Sequence, residues 1–106
     1  MDTGYVAALI TASSEDEAAR IARALVEERL AACVNIIPAV RSIYRWEGKV
    51  EESAETMLIV KTDAANMAPL IERVRALHSY TTPEIIALPV AGGFDGYLEW
   101  LGASIR

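Results

Sequence analysis

The sequence predicts an α+β fold with elements in the order β-α-β-β-α-β and a short C-terminal helix. Three observations lead to this class: four short apolar runs typical of strands, two longer segments with the apolar period of helices, and a two-residue turn between the middle strands. With 106 residues, of which 53% are hydrophobic, the chain is long enough for one core, and we expect a single domain over residues 1–106.

The first strand and helix are indicated by their apolar patterns. Tyr5 to Thr11 is an apolar run too short for a core helix, which is typical of a buried strand. Ser14 stands three residues before Glu17, the spacing of a capping box in which the hydroxyl accepts from the Glu17 amide and the carboxylate reaches back. The predicted helix runs from about residue 15 to residue 30. Its apolar face consists of Ala18, Ile21, Ala22, Leu25 and Val26.

A long hairpin follows. Cys33 to Ile37 is apolar and β-branched, Pro38 interrupts this strand without ending it, and Arg41 to Trp46 alternates between two faces. Glu47-Gly48 provides a two-residue turn, and Val50 to Thr62 returns as the partner strand. Pairing across the turn sets basic residues of one strand among acidic residues of the other, namely Arg41 and Arg45 among Glu51, Glu52 and Glu55.

The second helix and the fourth strand complete the order. Asp63 or Asn66 caps the helix, and Pro69 favours Asn66, because three residues after that cap a missing amide costs no helical bond. Glu84 to Ala91 is the fourth strand, in which Pro89 indicates an edge position or a bulge. The apolar face of the second helix consists of Met67, Leu70, Ile71, Val74 and Leu77. The short C-terminal helix is indicated by Tyr97, Leu98, Trp100 and Leu101.

This order favours a four-stranded antiparallel sheet with both longer helices on one face, the ferredoxin-like sandwich. A domain of this length has a radius of gyration of about 13 Å, or a diameter of roughly 33 Å. A strand from Cys33 to Trp46 at ~3.3 Å per residue is about 45 Å long. This exceeds the diameter of the domain, so the extended hairpin must project beyond the core. The projecting part carries Ile43, Tyr44 and Trp46, whose exposure predicts an interface between copies of the chain. The alternative is a strand bent at Pro38 and packed under the C-terminal helix.

Composition excludes several functional classes. The net charge of −5 opposes nucleic acid and anionic membranes as partners. The start, Met1-Asp2-Thr3-Gly4, has no basic region, and no apolar run approaches the ~18 residues of a membrane span. A single cysteine, Cys33, fits a reducing compartment, so we expect a cytoplasmic protein. One cysteine and one histidine cannot supply a zinc site that draws several such ligands from one chain.

Enzymatic interpretations also lack their motifs. No Gly-x-Ser-x-Gly elbow frames a serine nucleophile. Acylphosphatases share the predicted topology, but Thr11-Ala12-Ser13-Ser14 stands where their glycine-rich phosphate cradle follows the first strand. RNA-recognition domains share it too, but they need exposed aromatic residues on the central strands, which are absent from Tyr5 to Thr11 and from Met57 to Val60. We therefore expect no catalytic residues.

Four blocks of sequence resemble one known family. They are RLAACVN at 29–35, SIYRWEGK at 42–49, YTTPEI at 80–85 and YLEWL at 97–101. In this order they are similar to the CutA divalent-cation tolerance family. The resemblance implies a non-enzymatic homotrimer that assembles through the long hairpin, is similar in fold to the PII signalling proteins, and acts in tolerance of divalent metals, copper especially.

The resemblance also implies positions for copper ligands. A bacterial member uses a cysteine late in the first strand and two adjacent histidines after the second helix. The corresponding residues here are Ile10, Leu77 and His78, of which only His78 can bind a metal. We therefore expect no required cofactor and, at most, weak binding of copper or another divalent cation at His78. The alternative for His78 is a helix-end imidazole bonded to nearby carbonyls or water.

A second candidate site is a polar ligand cleft. Lys61 stands near the end of the third strand and Glu84 at the start of the fourth, which predicts opposite charges near one cleft mouth, lined also by Tyr80. A solvated or structural salt bridge is the alternative for this pair. The similarity in fold to the PII proteins implies an alternative function: a PII-like signalling module that binds a small anionic ligand at the cleft between subunits.

Overall fold

The computed structural model describes residues 3–106, so Met1 and Asp2 of the N-terminal segment considered above lie outside the described residues. The elements follow the predicted order. They are β1 (Tyr5–Ala12), α1 (Glu15–Glu27), β2 (Cys33–Trp46), β3 (Lys49–Asp63), a 3₁₀ turn (Ala64–Asn66), α2 (Met67–Leu77), β4 (Ile85–Pro89) and α3 (Asp95–Ser104). In the described part of the chain no helix is long and apolar enough to cross a membrane.

The four strands form one antiparallel sheet in the order β2-β3-β1-β4, which confirms the predicted fold class. In the sheet centre, Ala8 lies opposite Val60, and Ile10 lies opposite Leu58. The fourth strand is an edge strand, as Pro89 indicated, but it is shorter than predicted. It pairs with β1 only from Val6 to Ile10, so Glu84, Val90 and Ala91 lie outside it.

The core lies between one face of the sheet and the helices α1 and α2. Side chains from the sheet, such as Ile10 and Leu58, and from the helices, such as Ile21, Leu25 and Leu70, are fully buried against one another. Complete burial of one such side chain stabilises the fold by about 1.5–3 kcal/mol. The apolar periodicity of both helices therefore follows from their position on this face.

Helix α1 ends three residues earlier than the sequence predicted. The chain adopts a left-handed conformation at Arg29 (φ 60°) and reverses there. The amides of Leu30 and Ala31 then both donate to the Leu25 carbonyl. Leu30 is buried because of this reversal, so its apolar character reflects a C-terminal cap and not another helical turn.

The side chain that caps the second helix is Asp63, not Asn66. Its Oδ1 accepts from the Asn66 backbone amide at 2.9 Å and so closes the 3₁₀ turn that precedes α2. Asn66 itself has helical backbone angles, and its side chain donates to Asp63 and to the Arg106 carbonyl. The position of Pro69 favoured Asn66 as the cap, but the 3₁₀ turn moves the capping side chain three residues upstream, to Asp63.

The hairpin has the predicted turn and the predicted interruption. Glu47 (φ 50°) and Gly48 (φ 79°) both have positive φ, as a tight two-residue hairpin turn requires. The register with β3 shifts between Ile37 and Val40, and Ala39 (φ 61°) occupies the resulting bulge, so β2 continues past Pro38. The described chain measures 44 Å along its longest axis, against 27 and 23 Å across it.

The second face of the sheet is left largely uncovered by α1 and α2. Helix α3 covers one end of this open face, where Leu101 is buried and Gly102 lies against the Tyr5 hydroxyl. Burial raises the pKa of Tyr97, and the thiol of Cys33 beside it adds to this effect. These contacts fix α3 on the sheet through small and aromatic residues.

The close approach of α3 to Tyr5 generates a stability prediction. A Cβ at Gly102 would lie well inside contact distance of the Tyr5 hydroxyl. We expect Gly102→Ala to destabilise the fold, because overpacking costs about 1–3 kcal/mol and exceeds the ~1 kcal/mol that alanine gains in a helix. Gly92→Ala is the control, since nothing lies within 4 Å of its added Cβ. Urea denaturation at one protein concentration measures both variants, and an increase in stability for Gly102→Ala would contradict the proposed packing.

Candidate functional site

The outer hairpin, residues 40–55, is the part of the β2–β3 hairpin beyond the bulge. A cleft of about 740 Å³ lies between the outer hairpin and the segment 79–84, and we call it the hairpin cleft. It is lined by Thr11 of β1, by Arg41, Ser42, Ile43, Tyr44 and Trp46 of β2, by Glu55 of β3, and by Ser79, Tyr80, Thr81, Thr82 and Glu84. Two of the three predicted cleft residues, Tyr80 and Glu84, are therefore brought together here. The three predicted interface residues line the opposite wall.

The third predicted cleft residue, Lys61, lies elsewhere. It pairs with Ala7 and with Cys33 across the sheet, and its ammonium donates to the Asn35 side chain. Strands β3 and β4 are both antiparallel to β1, so the end of β3 and the start of β4 lie at opposite ends of the sheet. The prediction that Lys61 and Glu84 share one cleft mouth is therefore wrong.

The basic residue in the hairpin cleft is instead Arg41. Its Nε and Nη2 donate to Oε2 of Glu52 at 3.0 and 2.7 Å, in an ion pair that is exposed to solvent. An exposed pair of this kind contributes at most about 1 kcal/mol to stability. It does, however, place an acidic group directly against the guanidinium. The hairpin pairing indicated this arrangement from sequence, but not that Arg41 would line the cleft.

Tyr80 connects the segment 79–84 to β3 across the floor of the cleft. Its hydroxyl donates to Oε2 of Glu55 at 2.8 Å, and the Glu55 side chain is nearly buried. Burial raises the pKa of Tyr80 to about 12, together with the hydrogen bond to Glu55 and the charges of Glu55 and Glu17. Tyr80 therefore remains a protonated donor at physiological pH. Sequence reasoning missed Glu55, since nothing local indicates that it meets Tyr80.

Glu17 of α1 also holds the segment 79–84 in place. Its Oε1 accepts from the backbone amide and the hydroxyl of Ser13, both at 2.9 Å, and its Oε2 accepts from the Ser79 amide at 2.7 Å. Burial opposes the charged form, but the hydrogen bonds from Ser13 and Ser79 outweigh it and lower the pKa of Glu17 to about 2. The Ser14 hydroxyl accepts from the Glu17 amide at 3.1 Å, as predicted. The carboxylate reaches Ser13 and Ser79 instead of Ser14.

His78 uses both ring nitrogens within its own chain. Nδ1 accepts from the Tyr80 amide at 3.0 Å, so the proton resides on Nε2, which donates to the Thr11 carbonyl at 2.7 Å. The imidazole also packs against the Tyr80 ring, with centroids 4.7 Å apart. This is the helix-end arrangement considered as the alternative for His78. A metal ion at either nitrogen must replace a hydrogen bond to the backbone.

The positions at which the family resemblance implies copper ligands do not fit a three-ligand copper site. Ile10 is fully buried in the core, Leu77 packs against that core, and neither carries a ligand atom. Within residues 3–106, no three His, Cys, Asp or Glu side chains are grouped so that they can hold a metal ion.

The residues predicted to form an interface are exposed on the outer hairpin. Ile43 is 64% exposed, and Tyr44 and Trp46 are each more than two-fifths exposed. Their exposure rules out the alternative in which the strand bends and packs them under α3 of the same chain. The Tyr44 hydroxyl lies 3.3 Å from the Ser53 hydroxyl across the hairpin, which is its one described polar contact.

A four-stranded antiparallel sheet with two helices on one face and a long β2–β3 hairpin defines a ferredoxin-like α+β protein. Residues 6–104 match the family model described as "CutA1 divalent ion tolerance protein", and the chain belongs to this family. It is 60% identical to the divalent-cation tolerance protein CutA of Thermus thermophilus over 93 residues, which are 88% of this chain and 90% of that protein. It is 48% identical to the chloroplastic protein CutA of Arabidopsis thaliana over 97 residues, 92% of this chain but only 53% of that longer protein.

Solved structures agree with this assignment. The divalent cation tolerance protein of Thermus thermophilus superimposes with a TM-score of 0.95 and 55% identity, over 96% of this chain and 99% of that chain. A protein from Archaeoglobus fulgidus, described as a periplasmic divalent cation tolerance protein CutA, gives a TM-score of 0.93 and 44% identity over the same shares of the two chains.

The Glu17 hydrogen bonds generate a pH-dependent prediction. Because the pKa of Glu17 is about 2 in the folded protein and 4.5 as its ordinary value, the unfolded chain binds more protons between these values. Glu17 therefore stabilises the fold fully above about pH 4.5, and this contribution is lost as the pH falls towards 2. We expect Glu17→Gln to lower the free energy of unfolding at pH 7 by about 1–3 kcal/mol, since buried donors lose a charged partner.

The same variant should lose less stability than the unmodified protein when the pH falls from 5 to 2. Glu15→Gln is the matched control, because Glu15 is exposed on the same helix. Denaturant titrations across this pH range decide the matter. Equal pH dependence of Glu17→Gln and the unmodified protein would show that Glu17 is not held in its charged form by these bonds.

Proposed function

We propose that the protein acts in divalent-cation tolerance as a non-enzymatic homotrimer of the cytoplasm. The observation that carries this proposal is the family match over residues 6–104, together with relatives named for divalent-cation tolerance. Those names describe tolerance of a cation and give no reaction. The single cysteine supports a reducing compartment.

Assembly is supported by apolar side chains that the single chain leaves in water. They lie in two regions: the outer hairpin, and the open face of the sheet with the start of α3. The large ones in these regions are Ile37, Ile43, Tyr44, Trp46, Val50, Ile86, Leu88, Phe94, Tyr97 and Trp100. Contiguous apolar surface of this kind marks an interface between proteins. Two open sheet edges, those of β2 and β4, offer backbone groups for pairing with another chain.

The trimer is tested by mass and by one matched pair of substitutions. We expect light scattering at micromolar concentration to give three times the chain mass of 11.5 kDa. We expect Trp46→Ala to weaken the assembly more than Trp100→Ala, because Trp46 projects on the hairpin whereas Trp100 contacts Tyr97 within its own helix. The pair is well matched, since Trp46 is 47% and Trp100 48% exposed in one chain.

Two outcomes would contradict the assembly proposal. A monomer mass would reject the homotrimer itself. Equal loss of trimer on dilution for the two tryptophan variants would reject the hairpin as the dominant contact.

Copper binding by one chain is proposed to be weak. Tight copper sites use sulfur or imidazole ligands, and the chain has one cysteine and one histidine. Cys33 lies opposite Lys61 and therefore level with Ala7, whereas His78 bonds to Thr11, four residues further along β1. At ~3.3 Å per residue, the two positions of β1 beside which these donors lie are about 13 Å apart along the strand. The two donors do not meet within one chain.

We expect copper to bind with micromolar or weaker affinity, equivalent to about −8 kcal/mol or less favourable. Calorimetry on tag-free protein measures this affinity for the unmodified chain and for His78→Ala, with circular dichroism to verify that the variant is folded. The residual binding should fall in the variant. A nanomolar site that survives His78→Ala would show that copper binds elsewhere in the molecule.

A further inference from the structure

The hairpin cleft has the size and the walls of a small-molecule site. Its volume of about 740 Å³ lies within the range of roughly 300–1,000 Å³ that such sites occupy. One wall is the outer hairpin, and the other is the segment 79–84. That segment is held in place through Ser79, which donates to Glu17, and through Tyr80, which donates to Glu55. This wall of the cleft is therefore held in place before any ligand enters.

The charges of the lining favour a cation. Glu55 and Glu84 are the acidic groups of the cleft, and Arg41 is its basic group. The guanidinium of Arg41 is paired with Glu52, so the charges of these two residues offset each other. The Glu55 and Glu84 carboxylates then give the cleft a net negative charge. An anionic ligand in this cleft would be repelled by them.

The aromatic residues of the lining favour an organic cation over a bare metal ion. Tyr44, Trp46 and Tyr80 all line the cleft, and the faces of such rings attract positively charged groups. No group of three His, Cys, Asp or Glu side chains in residues 3–106 is arranged for a metal ion. The exposed hydroxyls of Thr81 and Thr82 add acceptors for an N–H donor.

We propose that the hairpin cleft binds a small protonated amine, with its ammonium group against the carboxylates of Glu55 and Glu84 and its carbon skeleton against the aromatic wall. Glu84 is exposed and acts mainly through its charge, whereas Glu55 is nearly buried and oriented by the Tyr80 hydroxyl. This inference concerns a ligand site and does not depend on the metal chemistry of the family.

Three probes of similar size test the proposal on the intact protein. Phenethylamine carries an ammonium group, hydrocinnamate a carboxylate, and phenethyl alcohol a neutral hydroxyl. Calorimetry at low ionic strength should give saturable binding of phenethylamine, at least tenfold weaker binding of the other two, and weaker amine binding when salt is added. Equal binding of the three probes, preference for hydrocinnamate, or no binding of phenethylamine would overturn the proposal.

A matched pair of variants locates the binding. Glu84→Gln should weaken phenethylamine binding at least threefold, whereas Glu27→Gln, which removes an exposed carboxylate at the far end of α1, should leave it unchanged. Equal effects of the two variants would show that net charge alone attracts the amine, and would overturn the proposed site. Light scattering on the same samples shows whether the trimer is intact. Absence of amine binding by an intact trimer would reject the cleft proposal alone, whereas a monomer mass would reject the proposed assembly.

Discussion

The buried carboxylate of Glu17 joins the start of α1 to the segment that follows α2. It accepts hydrogen bonds from Ser13, just before its own helix, and from the Ser79 amide, 62 residues further along the chain. Replacing it with a neutral group removes the charged acceptor from these donors, which is costly because a buried donor without a partner pays its full desolvation penalty. This bond helps to hold the chain after α2, together with the bonds of His78 to Thr11 and of Tyr80 to Glu55. Tyr80, which forms the floor of the hairpin cleft, directly follows Ser79.

The opposite wall of the cleft has no comparable support from its own chain. The outer hairpin extends beyond the bulge between Ile37 and Val40, and its large apolar side chains lie in solvent. The same residues, Ile43, Tyr44 and Trp46, thus belong both to the cleft and to the proposed interface. The proposed assembly and the proposed ligand binding therefore both involve the outer hairpin. Any ligand that orders the hairpin in its assembled position must strengthen the assembly by the same free energy with which assembly strengthens ligand binding.

The order of elements was predictable from sequence because each element buries one face, and burial imposes its period on the residues. Ser14 could be assigned as a cap and Glu47-Gly48 as a turn because both signals are local and act over three or four residues. The end of α1 was not predictable, because an apolar Leu30 looks the same in another helical turn as in a reversed chain. The bond from Ser79 to Glu17 was also beyond reach, since no local pattern connects residues so far apart. The separation of Lys61 from Glu84 was predictable from the strand directions. Two strands that are both antiparallel to β1 run parallel to each other, so the end of one cannot lie beside the start of the other.

Different atoms of this fold offer the two kinds of chemistry proposed above. The soft donors that copper prefers are Cys33, level with Ala7 near the start of β1, and His78, whose ring is tied to Thr11 at the end of β1. The carboxylates and aromatic rings of the hairpin cleft lie near His78, but its imidazole is already bonded at both nitrogens to the backbone. Copper prefers sulfur and imidazole ligands to the carboxylates there, whereas a protonated amine pairs with carboxylates and not with a thiol. The proposed weak binding of copper and the proposed binding of an amine therefore depend on different atoms, and a substitution at Glu84 can alter the second without touching either soft donor.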